Sequence, residues 1–109
     1  TSGTSSSTRG LFSGGYLSSS DTNSNVIDYI TIASTGNAID FGDLSATKRY
    51  SGGASNSVIS LTAGGISSGS GINVIDYVTI ASTGNATDFG DILVASYSPV
   101  GVSNAHGGL

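Results

Sequence analysis

The sequence predicts an all-β fold made of repeated four-stranded antiparallel units, and three observations carry that prediction. The stretch Asn25 to Leu44, NVIDYITIASTGNAIDFGDL, returns 48 residues later as NVIDYVTIASTGNATDFGDI at Asn73 to Ile92, with seventeen of twenty positions identical. A fixed period of about 20–50 residues marks solenoids, propellers and arrays. Serine, threonine and glycine supply 22, 11 and 17 of the 109 residues, with short β-branched and aromatic runs between them. That texture belongs to strands separated by turns; a structureless Gly/Ser linker would lack the apolar runs.

The repeat unit is longer than the matching sentence. Thr8 to Gly15 (TRGLFSGG) stands upstream of the first copy and Val58 to Gly65 (VISLTAGG) upstream of the second, each a short apolar run ending in Gly-Gly. Within the copy, Val26 to Ala33 alternates so that Val/Asp/Ile/Ile project to one side and Ile/Tyr/Thr/Ala to the other. Both sides are largely apolar, as in a strand covered on both faces. Ser34-Thr35-Gly36-Asn37 is turn chemistry, because glycine and asparagine tolerate positive φ and short polar side chains bond nearby backbone. A shorter strand follows around Ile39 to Ala46. Tyr50 to Ala54 and Asn56 to Ala63 form two more around a Ser-Asn turn. No segment sustains a 3.6-residue apolar period, so no helix is expected.

Four short antiparallel strands in each unit of about 48 residues is the sequence form of a β-propeller blade. One blade is expected over residues 1–48 and a second over 49–96. A partial third over 97–109 follows from His106-Gly107-Gly108-Leu109, which falls in register with Thr8-Arg9-Gly10-Leu11. The chain opens on Thr1 and stops inside that third unit, so it is expected to be part of something longer or to assemble.

Charge excludes several functions. Seven aspartates outweigh Arg9, Lys48 and Arg49 for a net charge of −4, leaving no basic stripe to follow a phosphate backbone, so nucleic acid is not an expected partner. No apolar run approaches the roughly 20 residues that cross a bilayer as a helix, and no membrane insertion is expected. With no cysteine there is neither a disulfide framework nor a thiolate.

The residues also resemble a known repeat. Thr47-Lys48-Arg49-Tyr50, a strand ending in Gly-Gly (Leu61 to Gly65), a variable loop and then Asn73-Val74-Ile75-Asp76-Tyr77 are together similar to a kelch repeat, in which a double glycine precedes a V-x-x-Y-D strand. Here aspartate and tyrosine are in the reverse order, and Phe41 and Phe89 stand near the place of the usual late tryptophan. The twenty-residue sentence more specifically resembles a repeat of large, notably marine, bacteriophage proteins. That resemblance implies a kelch-like propeller in a virion, as a structural or adhesion module of the tail or fibre, meeting other virion proteins or a host-surface glycan.

Six of the seven aspartates lie in the repeat: Asp28, Asp40 and Asp43, then Asp76, Asp88 and Asp91. Calcium takes six to eight oxygen ligands, but this spacing matches no calcium loop. Together with Tyr29 and Tyr77 these aspartates are read as structural repeat residues, capping turns or pairing across strands. His106 is the lone histidine and no glutamate accompanies it, so no metal site, no cofactor and no catalytic residue is expected. Nothing of the G-x-S-x-G type marks a serine nucleophile. The segments between Gly-Gly and NVIDY differ in length and chemistry between the units, and a variable loop on a fixed scaffold is where recognition is expected. The candidate ligand or receptor contacts there are Tyr16, Asp21, Asn23, Ser68 and Ser70. The alternative expectation is a small carbohydrate-binding lectin whose two-blade chains assemble into a full propeller. An ice-binding surface would need a strictly regular threonine array, which the chain lacks.

Two blades cannot close a ring, since propellers use about four to eight. Further blades of the same longer protein, or copies of this chain, are therefore expected to cover Val26, Ile30 and Ile32 or their counterparts Val74, Val78 and Ile80.

Overall fold

The computed structural model describes residues 1–103; the end of the anticipated third unit, residues 104–109 with His106, lies outside the described residues. Nine strands fall into two open antiparallel sheets, and no helix occurs among the described residues. The first sheet, unit 1, is an up-and-down meander in the order β1 (Ser2–Ser5), β2 (Arg9–Leu17), β3 (Thr22–Thr31), β4 (Ile39–Lys48). The second, unit 2, holds β5 (Gly52–Ser55), β6 (Ile59–Ala63), β7 (Ile66–Ser67), β8 (Ser70–Thr79) and β9 (Thr87–Ser96), with β9 on β8 and the short β7 pairing the beginning of β8.

The fifth strand of unit 2 is the same ribbon interrupted. In unit 1, Gly14 and Gly15 take φ of 66° and 121° inside β2, and the pairing to β3 shifts register between Ser13 and Gly15. In unit 2, Gly64 and Gly65 take φ of 62° and 107° and separate β6 from β7. Positive φ at two successive positions is conformational space that glycine alone enters freely, which explains why the pair occurs in both units. A side chain is also sterically excluded there: a Cβ on Gly14 would lie 2.8 Å from the Lys48 carbonyl, and one on Gly64 2.8 Å from that of Ser96. Beyond the bulge, Ser68-Gly69 with φ of 53° and 82° closes the β7–β8 hairpin in two residues, the backbone that a primed turn requires.

The repeated sentence folds identically. Asp28 faces Asp40 and Tyr29 faces Ile39 across β3 and β4, while Asp76 faces Asp88 and Tyr77 faces Thr87 across β8 and β9, with register shifts at the same places. The aromatic pairs repeat too, edge to face, at 5.8 Å for Tyr29–Phe41 and 5.9 Å for Tyr77–Phe89.

What differs is which face is covered. The buried apolar cluster joins Leu11, Ile27, Phe41 and Leu44 of unit 1 to Val78 and Ile80 of unit 2. One face of each sheet is therefore spent on the other, and burying each such side chain contributes roughly 1.5–3 kcal/mol. Because residues alternate along a strand, the docking faces are opposite ones: unit 1 presents the Ile27 side of β3, and unit 2 the Asp76, Val78 and Ile80 side of β8. The two-sided covering anticipated from the apolar alternation is thus met on one side only in each unit. Phe41 is 3% exposed and its counterpart Phe89 58%; Ile80 is 1% exposed and its counterpart Ile32 54%.

Candidate functional site

The seam between the units holds the chain's three basic residues, and each bridges across it. Arg9 Nη1 donates to the Ile80 carbonyl at 2.9 Å while its guanidinium lies 4.5 Å from the centre of the Tyr29 ring, within the range of a cation–π contact. Lys48 at the end of β4 is fully buried, with Nζ 3.3 Å from Asp76 Oδ2. The same carboxylate accepts from Ser45 Oγ at 2.7 Å and from the Ser45 amide at 3.3 Å. A buried carboxylate is tolerable when its lone pairs are occupied in this way. Arg49 continues from β4 as an antiparallel bridge, exchanging backbone hydrogen bonds with Ile66 at 3.1 and 2.8 Å.

The turn of unit 2 seals the far edge of the seam. Gly84 and Ala86 donate their amides to the carbonyls of Phe41 and Asp43 at 2.9 and 2.8 Å, and Asn85 Oδ1 accepts from the Asp43 amide at 3.1 Å. The outer edge of β4 is thereby paired. This approach requires bare backbone, since a Cβ on Gly42 would run into the Gly84 carbonyl.

At the opposite rim the two variable loops and the inter-unit linker surround an open groove of about 550 Å³. Tyr16, Asp21 and Asn23 of unit 1 line one wall and Ser68 of unit 2 another, with Thr47 and Arg49 between them. Four of the five candidate contact residues thus share one cleft, although Tyr16 and Ser68 come from different sheets. Ser70 pairs with Ser67 at the base of the β7–β8 turn and does not line the groove. Asn23 Nδ2 donates to the Ile66 carbonyl at 3.2 Å, which ties the loops together. The Arg49 guanidinium stands 5.0 Å from the Tyr16 ring centre and 5.5 Å from that of Tyr50, and its buried Nε has no hydrogen-bond partner among the described residues. An arginine held by aromatic faces offers a planar fork of donors suited to a carboxylate or phosphate.

Sequence reasoning did not place Arg49 or Thr47 in this groove, because Thr47 lies near the end of β4 and Arg49 just after it, 26 or more residues from Asp21 in the chain. The available signal was the Thr47-Lys48-Arg49-Tyr50 cluster itself, the densest charge in a weakly charged sequence.

The aspartates divide by position. Asp76 is the buried acceptor at the seam, whereas its counterpart Asp28 is half-buried on the open face of unit 1. Asp88 Oδ1 accepts from the Gly90 amide at 3.1 Å, a turn-capping bond. Asp40 and Asp91 are exposed. Among the described residues, no three histidine, cysteine, aspartate or glutamate side chains gather where they could share a metal ion. No family model matches the chain, and no curated protein matches it at a significant level.

Proposed function

We propose that this chain is a repeat-built, non-enzymatic structural or adhesion module of a bacteriophage particle, associated with the tail or fibre. Its two units act as successive blades of a propeller completed by further units of the same longer protein or by other copies. The observation that supports this most is head-to-tail docking: two units with the same strand order and register meet through opposite faces, leaving one face of unit 1 open, while Pro99, Val100 and Gly101 lie against part of the opposite face of unit 2. A heterologous contact of this kind extends until a ring closes or continues as a filament. Proteomics of purified particles tests the reading. Peptides of this chain retained through density-gradient purification of particles support it, and their confinement to the host-cell lysate contradicts it.

The second reading, a lectin, draws on the groove. Tyrosine, asparagine, serine and aspartate at its walls offer the stacking and adaptable hydrogen bonding that sugars require, and Arg49 favours a sugar carrying a carboxylate or phosphate. The adhesion and lectin readings share this contact surface and differ in whether the protein acts within a particle. A glycan array loaded with neutral and acidic oligosaccharides tests the surface itself: retention of acidic glycans that is lost in Arg49→Gln supports it, and uniform non-binding removes it.

A further inference from the structure

The docking of unit 2 on unit 1 is a worked example of what the open face of unit 1 must receive. Asp76 and Asp28 stand in the same local sequence and the same register. Asp76 is met by the Lys48 ammonium and by the hydroxyl and amide of Ser45. Beside Asp28 lies instead a hollow of about 350 Å³, lined also by Phe12, Gly14, Ser24 and Val26. Phe12, Val26 and Ile32 on that side are exposed. The turn that would seal the seam, residues 34–38, is exposed throughout, although its sequence, STGNA, is that of the turn capping β4.

The opposite end of the chain does not supply the complement. In the register of β8 and β9, Ser96 pairs Ile72 where Lys48 pairs Ser24, so Ser96 stands at the lysine's position and Leu93 at that of Ser45. A second copy docked head to tail would therefore set Asp28 against a leucine and a serine of β9, a strand that carries no cation. An uncompensated buried carboxylate is strongly unfavourable.

We infer that the open face of unit 1 receives a further repeat unit whose outer strand carries serine and lysine at the places of Ser45 and Lys48, and that a second copy of this chain is not that partner. The inference rests on the reading of the chain as one stretch of a repeat array. It adds that the array has an order: units bearing a Lys48-type residue precede units bearing an aspartate on the facing strand, and the Leu93/Ser96 face meets a different neighbour.

The experiment is sedimentation velocity on the full chain across a concentration series. Leu93→Ser/Ser96→Lys gives the rear face the missing hydroxyl and cation; Leu93 is 99% exposed, so its replacement removes no internal contact. The double variant is expected to self-associate at least about tenfold more tightly than the wild type, a difference of roughly 1.4 kcal/mol. Adding Asp28→Asn to it should abolish the gain. A second variant leaves β9 untouched: Asp28→Leu removes the carboxylate that the wild-type rear face cannot neutralise, and it should also raise self-association. Wild-type association as tight as that of the double variant overturns the inference. So does a gain indifferent to Asp28→Asn, or no change in either Leu93→Ser/Ser96→Lys or Asp28→Leu. None of these failures touches the particle proteomics or the glycan array, which test the underlying reading separately.

Discussion

Lys48 Nζ lies 3.3 Å from Asp76 Oδ2, and the two side chains are 0% and 1% exposed, at the seam where one sheet meets the next. The pair joins the last residue of β4 to the middle of β8 and so ties unit 1 to unit 2. Removing one partner of a buried ion pair strands the other, at a cost of about 3–5 kcal/mol. Lys48→Met and Asp76→Asn are each expected to lower stability by that order in chemical denaturation. Asp28→Asn, which alters the same residue of the same sentence on the open face, is expected to change it by under about 1 kcal/mol, as surface substitutions do. Equal effects at the two aspartates would contradict the assignment of Asp76 to the seam.

The phenylalanines give the same contrast without charge. Phe41 is enclosed between the sheets and Phe89 stands open, so Phe41→Ala should destabilise by about 3–5 kcal/mol. Phe89→Ala removes a mostly exposed ring whose edge contact with Tyr77 corresponds to about 0.5–1.5 kcal/mol. Thermal or denaturant midpoints of the two variants check this directly.

Gly42 and Gly90 share nearly the same φ, 155° and 152°, but only Gly42 has backbone of the other unit against it. Alanine at either position meets the same local conformational penalty, so the difference between the two variants reports the close approach of Gly84 alone. Gly42→Ala is expected to be the more destabilising by about 1–3 kcal/mol, the usual cost of overpacking. Identical melting curves would show that the turn of unit 2 does not press on β4.

For the groove, Arg49→Gln should weaken retention of an acidic glycan by at least about tenfold, the loss of one charge-assisted hydrogen bond being worth about 1.5–3 kcal/mol. Ser70→Ala lies off the groove wall and should leave retention unchanged. A surface plasmon resonance titration of both variants separates the two positions.

Much of the architecture was legible because its signals are local. The repeat, the strand alternation from Val26 to Ala33, the Gly-Gly pair and the Ser-Thr-Gly-Asn turns each declare themselves within a few residues. The covered face was not legible, since both copies of NVIDY carry the same apolar alternation on both sides. Asp28 and Asp76 are indistinguishable as sequence, and only the neighbour decides which of them is buried. That decision traces to Lys48 and Ser96, which lie beyond the end of the matching sentence. The groove was half legible: loop variability pointed to Tyr16, Asp21, Asn23 and Ser68, but Arg49 reaches them through the linker, whose path depends on how the sheets dock.

Head-to-tail docking of the two units is tested most directly by amide hydrogen exchange at the two turns. Gly36 and Ala38 have the same sequence neighbours from Ser34 to Ala38 as Gly84 and Ala86 have from Ser82 to Ala86, so each pair is closely matched in intrinsic exchange rate. Gly84 and Ala86 donate to the Phe41 and Asp43 carbonyls across the seam, whereas Gly36 and Ala38 lie in an exposed turn on the open face. In the chain alone, Gly84 and Ala86 are expected to exchange at least about a hundredfold more slowly, in line with opening that requires separation of packed sheets. Equal exchange at the two turns would contradict the docking on which the whole account depends.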